Sequence, residues 1–246
     1  MSHRSILRPA LGSSLIALAT ALAAIPAAAQ QATGSFQGNA EVVFGAVEII
    51  DNPGITRIDI YDTNAVIDWT PNDTTGTGLI NFQPAGTQAI FNGVEGNFTV
   101  LNRILPSNAA RAVQFDGTVI SQIQGANSTT TGGTVFFYSP GGIVIGSNAV
   151  FDVGNLGLTT AAPVVDGNGN WYVNNAVQFS QAVSGTAIDI QGQITASQAG
   201  SYVAAFAPYI AVGGSIDVNG QAALVSAEAG TITFNPSGLF DIQVSV

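Results

Sequence analysis

Between Gly133 and Asn155 the chain has three short runs of β-branched and aromatic residues, separated by corners of Gly, Pro, Ser and Asn. The runs are Val135–Tyr138, Ile143–Ile145 and Val150–Val153. Each has only three or four residues, and each corner is as tight. Strands this short gain little from hairpin pairing, but they can stack on equivalent strands of a neighbouring coil. The pattern therefore predicts a coiled solenoid, with these runs as buried walls of successive coils.

The rest of the chain agrees. No segment from residue 30 onward sustains the i, i+3, i+4, i+7 apolar spacing of a helix, and Gly or Pro interrupts almost every window. The nearest to a helical turn is Asn108–Arg111. Strand patterns recur as short pieces: Glu41–Val47, Thr56–Tyr61, Ala65–Thr70, Gln88–Phe91, Asn97–Leu101 and Val113–Ile123. In the second of these Arg57, Asp59 and Tyr61 alternate with Ile58 and Ile60. Turn chemistry fills the gaps, as in Asp51-Asn-Pro-Gly54 and Asp166-Gly-Asn-Gly-Asn170. The latter begins like a calcium loop but has Trp171 where the loop needs its sixth-position Gly, so it reads as a polar hairpin turn. Beside it, Trp171 and Tyr172 are expected to cover apolar surface on a side hairpin.

An apolar-Asp-Ile/Val unit recurs at Phe151-Asp152-Val153, Ile188-Asp189-Ile190, Ile216-Asp217-Val218 and Phe240-Asp241-Ile242. It suggests an outward Asp between two inward apolar residues in successive coils. Coils of roughly 20–25 residues would give about 9–10 layers and a rod of about 45 Å. The Gly-Gly-x-Gly-x-Asp arrays of calcium-binding β-helices are missing from the sequence. The strand-like Ile242–Val246 would leave an unpaired solenoid edge. This creates the expectation that the chain is the N-terminal part of a longer protein, or that a partner or second copy covers that edge.

The first 29 residues have the layout of a secretory signal peptide. Arg4 and Arg8 precede the apolar stretch from Leu11 to Ile25, and Pro26 and Ala27-Ala28-Ala29 suit cleavage before Gln30. The apolar run is short for a membrane span, and no later segment reads as a transmembrane helix. Residues 30–246 contain no Lys, His, Cys or Met. Their only Arg are Arg57, Arg103 and Arg111, against 15 carboxylates, which gives a formal charge of −12. That inventory excludes Ser-His and Cys-His nucleophile pairs, ordinary zinc sites, Schiff bases and P-loop chemistry. It also argues against nucleic-acid binding, which needs clustered cations. No cofactor and no catalytic residue is expected. A polysaccharide-degrading enzyme would need a carboxylate pair at a defined separation, which the many Asp leave open. A carbohydrate-binding adhesin could use Trp69 and Trp171, although both read first as packing residues.

Three linked motifs resemble the N-terminal secretion domain of two-partner secretion exoproteins, the filamentous haemagglutinin-like family. Val100-Leu101-Asn102-Arg103-Ile104-Leu105 resembles the family's Asn-Arg-Val/Ile motif, and Phe115-Asp116-Gly117-Thr118-Val119 is similar to its Ile-x-Gly-x-Ile/Leu. The stretch Val135 to Gly146 resembles Leu-x-Asn-Pro-Asn-Gly-Ile-x-Phe-Gly, with Ser139-Pro140-Gly141-Gly142-Ile143 at its turn. Ser139 and Gly141 stand where the family has Asn. The third motif, Asn-Ala-x-Ile-x-Val-Gly, has its counterpart from Asn148 to Gly154. The resemblance covers roughly residues 36–246. It implies a right-handed parallel β-helix, a single-stranded solenoid with short side hairpins, without enzymatic activity. It further implies export across the periplasm and outer membrane to the cell surface or medium. The partner would be an outer-membrane β-barrel transporter with periplasmic binding domains; host or cell-surface glycans are a further possible partner of an adhesin-type exoprotein. On this resemblance the recognition and folding residues are Asn102, Arg103, Ile104, Leu105, Ser139, Pro140, Gly141, Gly142, Ile143, Gly146 and Asn148. Bottom-up, Asn102 and Arg103 read as structural, a surface pair or a corner Asn, with transporter contact open.

Overall fold

The computed structural model describes residues 34–166, 168–234 and 240–245. Residues 1–29, expected to be a signal peptide, lie outside them. Strands alternate with tight corners throughout, and no helix occurs among the described residues. The Asn108–Arg111 segment is a single turn, closed by the Arg111 N–H donating to the Asn108 carbonyl at 3.1 Å.

The chain first makes two cap strands, β1 (Gly38–Phe44) and β2 (Val47–Asn52). The first coil follows as β3 (Ile55–Ile60), β4 (Asn64–Pro71) and β5 (Ile80–Gln83), and the second as β6 (Gln88–Gly93), β7 (Thr99–Ile104) and β8 (Val113–Phe115). The third coil is β9 (Thr118–Gln124), a hairpin strand β10 (Thr129–Thr131), β11 (Thr134–Tyr138) and β12 (Ile143–Ile145). The fourth is β13 (Val150–Asp152), β14 (Asn155–Thr159), an excursion bearing β15 (Ala176–Phe179), and β16 (Ala187–Ile190). The fifth is the long bent strand β17 (Gln193–Ala207) and β18 (Tyr209–Val212). A last partial coil is β19 (Ser215–Ser226), after which β20 (Ala229–Phe234) and β21 (Phe240–Ser245) leave the solenoid.

Stacking the coils produces three parallel faces. One holds β4, β7, β11, β14 and the second halves of β17 and β19; the next holds β3, β6, β9, β13 and the first halves of β17 and β19. The third holds β5, β8, β12, β16 and β18. This is the parallel β-helix expected, with side hairpins. Each strand completes its neighbour's backbone hydrogen bonds, so the ladders run along the stack.

Three expectations change in detail. The three runs of the Gly133–Asn155 stretch are not one wall from each of three coils. They are β11, β12 and β13, one on each face, a single tour around the tube. The run Val113–Ile123 is two strands, broken at the corner Asp116-Gly117. The coils are also longer and fewer. Register partners on the β3 face are Ile55, Gln88, Thr118, Val150, Gln193 and Ser215, separated by 33, 30, 32, 43 and 22 residues. Six layers span about 24 Å, not 45 Å. The shorter period was inferred from the Asp units, which occupy different faces. Asp152 and Asp217 flank Thr195 on the β3 face, Asp189 lies on the β8 face, and Asp241 lies in the side sheet. The local alternation holds: Phe151, Val153, Ile188 and Ile190 are fully buried while Asp152 and Asp189 are half-buried.

The interior is filled by inward residues such as Ile58, Ile67, Trp69, Phe82, Phe91, Phe115, Phe137 and Phe151. Phe115 sits edge-on to Phe82, Phe137 and Phe151 at 5.5, 5.0 and 5.8 Å, an arrangement that favours aromatic quadrupoles. Phe36 plugs the cap end, stacked on Phe82 at 4.8 Å and edge-on to Trp69 at 5.0 Å. β1 and β2 close that end by antiparallel pairing to β4 and β3.

A second apolar cluster lies outside the tube. The outward residues Val66, Leu101, Phe136, Ala204 and Phe206 of the β7 face are covered by the excursion after β14 and by the antiparallel sheet β15-β20-β21. Trp171 packs edge-on to Phe136 at 5.0 Å, and Phe179 stacks on Phe206 at 4.5 Å. Trp171 and Tyr172 thus cover apolar surface as expected. Burial on both sides of the sheet explains why Val135-Phe136-Phe137 is a continuous apolar run without alternation. β21 belongs to this side sheet, so the exposed solenoid edge lies at β18 and β19 instead. There the inward Ile210, Ile216 and Val218 are only half-buried, and Tyr209 is 63% exposed.

Candidate functional site

The motif residues divide between two corners of the tube. Parallel pairing of β7 with β11 sets Asn102 beside Phe137 and Arg103 beside Tyr138. This places Ile104-Leu105 one layer below Ser139-Pro140, so two motifs 35 residues apart in sequence stack at one corner. Gly146 and Asn148 belong to the following corner, between β12 and β13.

Asn102 points into the tube and is fully buried. Its Oδ1 accepts from Trp69 Nε1 of the layer below at 3.0 Å, and its Nδ2 donates to the Phe136 carbonyl of the layer above at 3.2 Å. One amide thus ties three layers. Asn102 therefore lies in the core rather than in a surface pair or a corner. Arg103, one residue on, points outward. It forms a two-pronged pair with Asp68 of β4, Nε to Oδ1 at 2.5 Å and an η-nitrogen to Oδ2 at 2.8 Å. Burial pushes the Tyr138 phenol above its usual value, and the neighbouring Arg103 opposes the shift. Ile104 is a core residue and Leu105 is exposed.

The Ser139–Gly142 turn rests on the segment below it. A Cβ on Gly141 would lie 2.2 Å from the Arg111 carbonyl oxygen, so only glycine lets the two backbones touch. Gly142 has φ +122°, which favours glycine, and its carbonyl accepts the Val113 N–H at 3.0 Å. Ser139 is buried with no partner for its hydroxyl, Pro140 is half-buried, and Ile143 enters the core. At the other corner the Gly146 N–H donates to the Phe115 carbonyl at 2.8 Å, and Asn148 is exposed.

The sequence reading missed Arg111 and Asp73 as a structural pair. The Arg111 guanidinium is 4% exposed and grips the connection between β4 and β5. It bonds Asp73 Oδ2 at 2.7 Å, Asp73 Oδ1 at 3.1 Å and the Gly78 carbonyl at 2.8 Å. Hydrogen bonds from Arg111, and then from the Gly76 backbone, hold the Asp73 carboxyl down at about 2. The only hint in the sequence was an isolated cation in a cation-poor chain; its partner lies 38 residues away. Arg57 pairs with Asp59 at 2.8 Å, so each of the three arginines is matched to a carboxylate of its own chain. Trp69 is 1% and Trp171 2% exposed, so neither presents a ring face to a sugar. Among the described residues no three His, Cys, Asp or Glu side chains come together.

No protein-family model and no curated protein matches the chain. Among solved structures it is similar to the HMW1 secretion domain from Haemophilus influenzae, with a TM-score of 0.61. The chain has the fold of a secretion domain. The identity is 20%, and the alignment covers 85% of this chain and 48% of the other. This chain therefore spans about half the length of that structure. The likeness agrees with the resemblance carried by the motifs, and the neighbour is a secretion domain rather than an enzyme.

Proposed function

We propose that this chain is the secretion domain of an exported, non-enzymatic β-helical exoprotein of adhesin type. Residues 1–29 act as the signal peptide, and residues 30–246 are the N-terminal part of a longer β-helical chain. The domain engages an outer-membrane β-barrel transporter through the transporter's periplasmic domains, crosses unfolded, and nucleates the helix on the cell surface or in the medium. The observation that carries this reading is the fold match to a secretion domain over 85% of the chain.

The difference between the two ends supports it. Phe36, β1 and β2 close one end, while β18 and β19 leave half-buried core residues at the other. A following coil would bury them, at about 25 cal/mol per Å² of apolar surface, without nucleotide hydrolysis outside the cell. The absence of cysteine suits passage in an unfolded state, because no disulfide can lock the chain beforehand.

The partner-facing part of the motif set is the portion that reaches solvent, with exposed Leu105 and half-buried Arg103 at one corner and exposed Asn148 at the next. Co-expression with a barrel transporter encoded beside the gene tests the reading. The chain should reach the medium only when the transporter is present. Equal release without the transporter would reject it. Arg103→Ala should reduce export if the corner is read by the transporter, and unchanged export would remove Arg103 from the recognition surface.

A further inference from the structure

The apolar pattern of a solenoid does not by itself fix how one coil sits on the next. A slip of one residue turns every core side chain outward, but a slip of two preserves the inside-outside alternation. After a two-residue slip in either direction an inward apolar residue of β7, Ile104 or Val100, would still lie opposite Ile67 of β4. The first two coils therefore need a register signal beyond hydrophobicity.

The geometry points to Asn102, Arg103 and Arg111 as that signal: three polar side chains of the second coil that lock it onto the first in one register. Inside the tube, Asn102 accepts the Trp69 N–H at 3.0 Å. On the outer side of the same sheet, one residue further along, Arg103 meets Asp68, its direct register partner. Beyond the strand, Arg111 grips Asp73 and the Gly78 carbonyl. The three contacts join the same two coils from inside, from outside and at the corner.

A two-residue slip in either direction breaks the contacts of Arg103 and Arg111, and in one direction that of Asn102 as well. Moved one way, Arg103 faces Val66; moved the other, Asp68 faces Leu101. Val66 and Leu101 are both fully buried beneath the side layer, so one charge of the pair loses its partner at an apolar column in either direction. Moved so that Arg103 faces Val66, Asn102 comes opposite Ala65 and loses Trp69; moved the other way, it comes opposite Trp69 itself. A slide of about 6.6 Å also pulls Arg111 off Asp73. Leaving one charge of this half-buried pair unpaired against an apolar column disfavours the slipped state by about tenfold or more, less than breaking a fully buried ion pair would. After Arg111 the chain contains no Lys or Arg, so no later coil can be positioned by an ion pair. Later coils stack on a template already in register. The first step of assembly is the one that carries the ionic part of the code.

The absence of cysteine permits a direct test on the purified chain refolded from urea, without any transporter. Asn64→Cys with Thr99→Cys reports native register, because these residues are direct partners. Thr70→Cys with Ser107→Cys reports a slip one way, and Val66→Cys with Thr99→Cys a slip the other way. Pairs two residues out of register are too far apart to bridge, since disulfides need Cα atoms within about 7 Å. In an Arg103→Asp background the native cross-link should fall at least about tenfold and a slipped cross-link should appear. The exchange Asp68→Arg with Arg103→Asp should restore the native cross-link. A native cross-link at wild-type yield in Arg103→Asp overturns the inference. If Arg103→Asp yields neither product, the exchanged pair decides: recovery supports the code and no recovery overturns it. Because export plays no part in this assay, its outcome is separate from that of the secretion reading.

Discussion

Replacing Asn102 by Leu removes an amide from the middle of the tube while keeping the heavy-atom count and branching of the side chain. The loss falls on Trp69. Its indole is 1% exposed, and its N–H has the Asn102 oxygen as partner at 3.0 Å. Leucine offers no acceptor, so a buried donor is left unsatisfied at a cost of about 1–3 kcal/mol. The Phe136 carbonyl loses its bond to Asn102 Nδ2 as well, but β11 also pairs along its length with β14, so this contribution is smaller. Asn102→Leu is therefore expected to destabilise the domain by about 2 kcal/mol. Trp69→Phe removes the donor itself and shrinks a core side chain, which costs a cavity as well as the bond. If the two side chains act on stability through their mutual bond, the second substitution costs less once the first has been made. The coupling in a double-mutant cycle should be about 1–2 kcal/mol. Urea unfolding followed by far-UV circular dichroism gives all four stabilities without relying on tryptophan emission. Additivity within about 0.5 kcal/mol would refute the argument, because the buried bond would then carry no energy of its own.

Two further predictions follow from close contacts and charge. A Cβ on Gly192 would lie 2.5 Å from the Gly146 carbonyl oxygen and 2.6 Å from that of Ala149, so Gly192→Ala should destabilise by about 1–3 kcal/mol through forced separation of layers. Gly78→Ala, with no atom within 4 Å, should fall within about 0.5 kcal/mol of wild type; equal melting of the two variants would contradict the packing argument. Asp73 has its carboxyl lowered from 3.8 to about 2, so the stability it contributes is complete above its unfolded value and is lost as pH falls through about 2. Urea midpoints measured from pH 5 to pH 2 should fall less steeply for Asp73→Asn than for wild type, and parallel curves would remove Arg111–Asp73 from the acid response.

The fold class was legible in the sequence because it depends on local rules. Short β-branched runs between Gly, Pro and Asn corners cannot build long helices or long hairpins, and their alternation marks an inside and an outside. Ile58 and Ile60 against Arg57 and Asp59 were assigned correctly on that basis. The motif order from Asn102 to Gly154 was likewise a linear signal, and it agreed with the fold match.

The sequence could not supply distances between coils. The spacing of the Asp units suggested a period, but Asp152, Asp189 and Asp241 fall on different sheets, because the same inward-outward-inward triplet suits any face. Asn102 looked like a surface or corner residue, since nothing local shows that Trp69, 33 positions earlier, lies beneath it. Arg111 and Asp73 found each other across 38 residues, and the second apolar cluster formed only when β15 met β20 far along the chain. By itself the sequence determined that this chain coils, which side chains alternate and where it turns, since those follow from neighbours within a few bonds. Only the tertiary structure decided how many residues make a coil, which coil each polar side chain grips and which face is covered. Those depend on contacts between residues 19 to 57 positions apart, where the corner loops absorb insertions without leaving a trace in the local pattern.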